Sequence, residues 1–196
     1  MKKGRLEAFS DGVIAIIITV MVFNIKAPEA NDASGLIECL PGILTFAMSF
    51  LYLAIYWNNH HHMFQATTSV NGSVMWANLH FLFWLSLFPF VTSWLYQSSF
   101  SVWPVAIYGF VLWMAGLSYL LIQNCIVRME GCDSMLRQAI GRDWKGRSSA
   151  VCYLAAILVS FLSVWPAVAI YIGVALVWLV PDGRIEKAIR SNNDAI

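Results

Sequence analysis

The amino-acid sequence predicts an all-α integral membrane protein: a single domain over residues 1–196, with six transmembrane helices and both termini in the cytoplasm. Three observations predict it. They are an apolar excess, six apolar runs separated by breakers, and basic residues that fall on one face of a six-span bundle. Of 196 residues, 59% are hydrophobic and only 12% are charged. A soluble domain carries about 45–50% apolar and about 25% charged residues. Twelve basic and eleven acidic side chains are too few to clothe a soluble core of this size. A helix crossing the hydrocarbon needs about 20 residues, so six use about 120. The composition excludes a soluble enzyme, a nucleic-acid-binding domain and a disulfide scaffold.

The spans are expected at 6–25, 40–60, 74–96, 104–127, 149–162 and 166–180. The first is stopped by Lys26-Ala27-Pro28, and the second runs from Leu40 to His60. The third carries Pro89 in its interior, which removes one backbone hydrogen bond and should kink the helix. The fourth opens at Pro104, since proline suits a first helical turn. The fifth and sixth are short for a full crossing. They are expected to borrow flanking residues or to sit where the bilayer thins. Pro181-Asp182-Gly183 stops the last.

Orientation follows from the basic residues. Lys2, Lys3 and Arg5 precede the first span. Arg128, Arg137, Arg142, Lys145 and Arg147 lie between the fourth and fifth, and Arg184, Lys187 and Arg190 follow the sixth. With six spans all of these share one side, and Lys26 stands alone on the other beside Glu29, Asp32 and Glu38. Five or seven spans would scatter them. A cleaved signal peptide is the competing reading of the N-terminus. Asp11 within the apolar run and the lack of a clean A-x-A site argue against it. Ser101-Val102-Trp103-Pro104 is echoed by Ser163-Val164-Trp165-Pro166. Convergence explains this echo, because Trp suits the interface and Pro the first turn. Cys39, Cys125, Cys132 and Cys152 form no C-x-x-C, and only Cys39 is placed near the outer face. No disulfide is expected within a subunit.

The chemistry concentrates at the start of the first span. Arg5, Glu7 and Asp11 flank Phe9 and Ser10 at a membrane end, where a buried charge needs a partner. Helix-end decoration explains Glu7 better than Asp11, which lies about a turn deeper. Beyond it, Ile16, Val20 and Phe23 recur at i, i+4 and i+7 on one stripe, beside Gly12 and Thr19. The residues alone leave a lipid-facing helix and a pore-lining helix both open. In the second reading the stripe forms rings that dewet a narrow path. His60, His61 and His62 close the second span. They point about 100° apart, so they cannot share one metal ion, and no metal or cofactor is expected. They are expected to meet Asp11 and Arg5, or to serve as proton sites. Asn78 and Ser86 are expected to bond across helices. No phosphate loop, metalloprotease motif, nucleophile pattern or T-V-G-Y-G-type filter occurs, and the chain is not expected to be an enzyme.

Arg5-x-x-x-Phe9-Ser10-Asp11 opening the first helix resembles the signature of the transmembrane protein 175 family, the lysosomal potassium channels of animals. Trp57, His60, His61 and Phe64 resemble its second-helix pattern, and Asn78 with Ser86-Leu87-Phe88-Pro89-Phe90 its third. The length of one six-helix unit is similar to that of the prokaryotic members. The resemblance implies a homotetramer around a central pore lined by first helices, in the cell membrane, passing potassium better than other monovalent cations. It implies a constriction at positions five, nine and twelve after the motif Asp, here Ile16, Val20 and Phe23, with Thr19 and Ile16 setting selectivity. It also implies a polar network of Arg5, Asp11, Trp57 and His60 or His61, next to Phe9 and Ser10. Three positions depart from the pattern. Val20 and Phe23 stand where leucines are common, and Asn24 where an acid is frequent. The competing functions are a proton-coupled secondary transporter using Asp11 and His60–His62, a membrane enzyme built on the histidine run, and a structural assembly protein.

Overall fold

The structure, a computed structural model, describes residues 2–30, 32–131, 134–140 and 143–179. Cys132, Arg142, Val180, Arg184, Lys187 and Arg190 lie outside the described residues, so their expected placement receives no structural account. All regular structure among the described residues is helical: α1 (Lys3–Phe23), α2 (Ala33–Gln65), α3 (Gly72–Ser86), α4 (Phe88–Gln97), α5 (Val102–Glu130), α6 (Met135–Ile140), α7 (Trp144–Ser160) and α8 (Val164–Leu179).

Among the described residues, four segments are long and apolar enough to cross a membrane: Lys3–Phe23, Ala33–Gln65, Gly72–Gln97 and Val102–Glu130. The expected fifth and sixth spans fall in α7 and α8, of 17 and 16 residues. As far as they are described, these stretches reach about 25 Å, against a hydrocarbon thickness of roughly 30 Å.

Helix α2 begins well before the expected Leu40. Asp32 caps it, its carboxylate accepting from the Ser34 amide at 2.9 Å and the Ser34 hydroxyl at 2.5 Å. Those bonds hold the Asp32 carboxyl below its usual range, the hydroxyl contributing most. The helix then continues through Pro41. With 33 residues it is about 50 Å long and overshoots the hydrocarbon. The expected kink in the third span takes the form of a one-residue interruption at Leu87, which keeps αR backbone angles. Helix α3 ends at Ser86, Leu87 is shared, and α4 restarts with Pro89 in its first turn. There the missing N–H is harmless.

Helix α1 packs on α2, α3 and α4, while α5 packs on α3, α4, α7 and α8. Hydrocarbon supplies no water, so buried polar groups must find protein partners. The interior phenols do so. Tyr52 donates to the Tyr171 carbonyl at 2.5 Å, Tyr171 to Val105 at 3.2 Å and Tyr56 to Leu112 at 3.2 Å. Thr92 donates to Ser49 at 2.7 Å, and Ser49 lies 3.0 Å from the Tyr108 hydroxyl. The Ser-Val-Trp-Pro echo also has a geometric counterpart. Both α5 and α8 start at its valine. Trp103 meets Phe161 ahead of α8, and Trp165 meets Phe100 ahead of α5, at 5.3 and 5.7 Å between ring centroids.

Gly109 lets α5 approach α8, because a methyl there would overlap the phenol of Tyr171. Replacing Gly109 with Ala is expected to cost about 1–3 kcal/mol by overpacking. Adding Tyr171→Phe should recover part of that loss by removing the clashing oxygen. Thermal unfolding of the detergent-solubilised variants checks both outcomes.

Candidate pore helix and its anchoring contacts

Helix α1 has two unlike faces. Leu6, Ser10, Ile14, Ile17 and Met21 are buried against the rest of the subunit. Their spacing of four, four, three and four residues makes one continuous stripe. On the other side Phe9, Ile16, Val20 and Phe23 are 53%, 64%, 43% and 81% exposed. Nothing lies within 4 Å of where a Cβ on Gly12 would stand. The whole stripe singled out in the sequence is therefore uncovered by its own subunit. Thr19 is exposed on this side as well, and its hydroxyl donates to the Ala15 carbonyl at 2.9 Å. Its proton is thus committed, and its oxygen keeps free lone pairs.

The buried face is held by a directional chain. The His60 ring Nε2 lies 2.8 Å from Asn78 Oδ1, and Asn78 Nδ2 donates to Ser10 Oγ at 2.9 Å. Ser10 Oγ in turn donates to the Leu6 carbonyl at 2.9 Å. With the amide nitrogen facing Ser10, Asn78 Oδ1 must accept, so Nε2 of His60 carries the hydrogen. His60, Asn78 and Ser10 are all buried. Three helices, α1, α2 and α3, meet in these bonds.

Asp11 belongs to a separate contact. Its carboxylate accepts from the Trp57 indole N–H at 2.9 Å. Trp57 stacks on His61 at 6.0 Å, and His61 lies 2.8 Å from Gln65 Nε2. Among the described residues no histidine is hydrogen-bonded to Asp11, contrary to the expected meeting. The exposed Arg5 side chain has no hydrogen bond or ion pair with them either. Ser86 bonds its own helix, donating to the Phe83 carbonyl at 2.7 Å, so only Asn78 of that expected pair crosses between helices.

Two contacts escape sequence reasoning. Lys3, counted there only for orientation, donates to the carbonyls of Phe64 and Thr67, both at 2.8 Å. It places a cation at the C-terminal end of α2, where the helix dipole favours one. Asn24 Nδ2 donates to the Pro89 carbonyl at 3.3 Å and ties the far end of α1 to α4. Both partners lie more than sixty positions away, so no local pattern announces either bond.

Replacing Asn78 with Leu would strand the His60 Nε2–H in a dry interior and leave Ser10 only the Leu6 carbonyl of its own helix. A loss of roughly 2–4 kcal/mol in subunit stability is expected, read as a lower unfolding temperature. A double-mutant cycle between Asp11→Ala and Trp57→Phe should be non-additive, and one between Asp11→Ala and His60→Ala close to additive.

Comparison with known proteins places the chain in a family. The family described as endosomal/lysosomal potassium channel TMEM175 matches residues 5–89, which span the α1 stripe and the Asn78 chain. A protein named a potassium channel from Chryseobacterium sp. is 50% identical over 98% of this chain and 100% of its own length. One named likewise from Chamaesiphon minutus is 30% identical, over 85% of this chain and 88% of its own. The crystal structure described as a lysosomal potassium-selective channel TMEM175 homolog from Chamaesiphon minutus superposes with a TM-score of 0.75. That match is at 26% identity and covers 92% of this chain and 97% of the other. The chain is a multi-pass membrane protein and belongs to the TMEM175 potassium-channel family.

Proposed function

We propose that the chain is one subunit of a potassium-preferring cation channel, a homotetramer of six-helix subunits in the cell membrane with both termini in the cytoplasm. The α1 helices line the central path, and Ile16, Val20 and Phe23 form its constriction. One observation carries the reading: α1 is tethered by hydrogen bonds along one face and leaves its whole Ile16–Val20–Phe23 stripe uncovered.

The chemistry follows from the helix. The carbonyls of a continuous helix are occupied by its own N–H groups, so α1 has no carbonyl cage to offer an ion. Side chains alone line the path. The three rings stand about 6 and 4.5 Å apart along the axis. Asp11 lies about 140° around the helix from Ile16, so its charge is not in the rings. A cation crosses this apolar stretch partly stripped of water. Potassium is larger than sodium and holds its shell less tightly, so stripping penalises it less. Thr19 supplies the one polar group beside the rings. Its proton is tied to Ala15, which leaves four hydroxyl oxygens to replace part of the lost hydration.

The proton-coupled alternative needs Asp11 and the histidine run to exchange protons. The separate bonding of Asp11 to Trp57 and of His60 to Asn78 does not favour it.

Replacing Ile16 with Asn puts a polar ring at the first constriction. Single-channel recording in planar bilayers should show a severalfold larger conductance and a weaker preference for potassium over sodium. Currents indistinguishable from those of the unaltered protein would remove Ile16 from the constriction.

A further inference from the structure

Helices α7 and α8 pack on α5, and three contacts register α7 along it. Phe161, the C-cap of α7, meets Trp103 in the first turn of α5 at 5.3 Å between ring centroids. Further along, a Cβ on Gly116 would stand 3.9 Å from the Tyr153 ring. Near the start of α7, a Cβ on Gly146 would stand 2.9 Å from Leu120. At the Trp103 end the two helices are therefore level, but at the opposite end they are not. Helix α7 begins at the level of Leu120, whereas α5 runs on to Glu130. The first charge on α5 is Arg128, about 12 Å beyond Leu120 along the helix.

The step sets charge at the wrong depth for an ordinary bilayer. Asp143, Lys145 and Arg147 crowd the start of α7, and Arg147 and Ser148 are exposed. From Ser148 to Phe161 the exposed surface of α7 is apolar, with Val151, Leu154 and Leu158 on one stripe. That band is about 20 Å long. Helix α8 repeats it. Trp165 is exposed in its first turn, and the Trp178 N–H donates to Ser149 Oγ at 2.8 Å, level with the start of α7. Thirteen positions separate the two tryptophans, again about 20 Å. The exposed apolar residues of α5 run instead from Trp103 to Leu121, about 27 Å. Helix α7 borrows nothing from its flanks to make up the difference. Asp143 caps its start, Oδ1 accepting from the Gly146 amide at 2.9 Å, and beyond Phe161 the chain turns at once into α8. Tilt would shorten the depth covered further.

We propose that the α7–α8 edge is built for a thin bilayer. The lipids it fits are those whose short acyl chains give a hydrocarbon layer of about 20 Å along this edge, against roughly 30 Å in an ordinary membrane. A thicker bilayer must either lay hydrocarbon over the Arg147 charge or compress around the edge, and both are costly. Short chains avoid both. Helix α1 packs on α2, α3 and α4 and takes no part in this edge. The inference rests on α7 and α8 crossing the membrane, and not on ions passing along α1.

Quenching of tryptophan fluorescence by brominated phosphatidylcholine tests this without reference to ion flux. In vesicles of the full-length protein it measures the relative affinity for competing phosphatidylcholines of different chain length. Affinity should fall severalfold from fourteen-carbon to twenty-two-carbon chains. Arg147→Leu combined with Ser148→Leu lengthens the α7 band by about 4 Å and should reduce that fall by about half. If the double variant does not fold, Ser148→Leu alone should still make the fall shallower. A highest affinity for chains of eighteen carbons or more in the unaltered protein would overturn the proposal. So would a fall that the variants leave unchanged, the outcome if a second copy rather than lipid covers this edge.

Discussion

The hydrogen-bonded chain from His60 through Asn78 to Ser10 is the contact on which the placement of α1 depends. In hydrocarbon a helix gains little by exchanging lipid for protein carbon. Apolar burial alone therefore does not decide which face of α1 turns inward. A donor and an acceptor that must meet in a dry interior do decide it. With Ser10 turned towards Asn78, the stripe of Leu6, Ile14, Ile17 and Met21 follows it inward. The geometry of a 3.6-residue helix then carries Ile16, Val20 and Phe23 about 115° around from that stripe, away from the subunit.

The remaining tethers lie near the two ends of α1. Lys3 and Asp11 fix its first half to α2, and Asn24 fixes its last turn to α4. Between Gly12 and Phe23 the contacts with the subunit are almost wholly apolar, with a weak Thr92–Met21 sulfur contact at 3.9 Å. A helix fixed at its ends and smooth between them can present three apolar side chains in register without a charge near them. The buried Tyr52, Tyr108 and Tyr171 join α2, α5 and α8 behind it through hydrogen bonds and ring contacts.

Much of this was legible in the sequence, for reasons that can be named. Composition and run length read the membrane class, because the hydrocarbon sets one thickness for every span. Asp11 stood out because a lone charge in an apolar run needs explanation. Helix periodicity grouped Ile16, Val20 and Phe23. The boundaries of α2 were not legible. Pro41 looks like a stop, yet in a membrane helix its missing bond is tolerated, and the Asp32–Ser34 cap moves the true start outward. For Asp11 the residues alone pointed to histidine, and only the family resemblance pointed to Trp57. Trp57 and His60 stand only about 60° apart around α2, so periodicity does not choose between them, and tertiary placement turned the indole towards Asp11 and the imidazole towards Asn78. Lys3 carried no local sign, since its acceptors are backbone carbonyls that any sequence possesses.

The central claim is that ions pass along the uncovered face of α1 and that potassium passes more readily than sodium. The most direct measurement is the reversal potential of the unaltered protein in planar bilayers, with potassium on one side and sodium at equal concentration on the other. A reversal potential displaced well away from zero towards the potassium equilibrium value is predicted. A reversal at zero, or the absence of any potassium-carried current from well-incorporated protein, would contradict it.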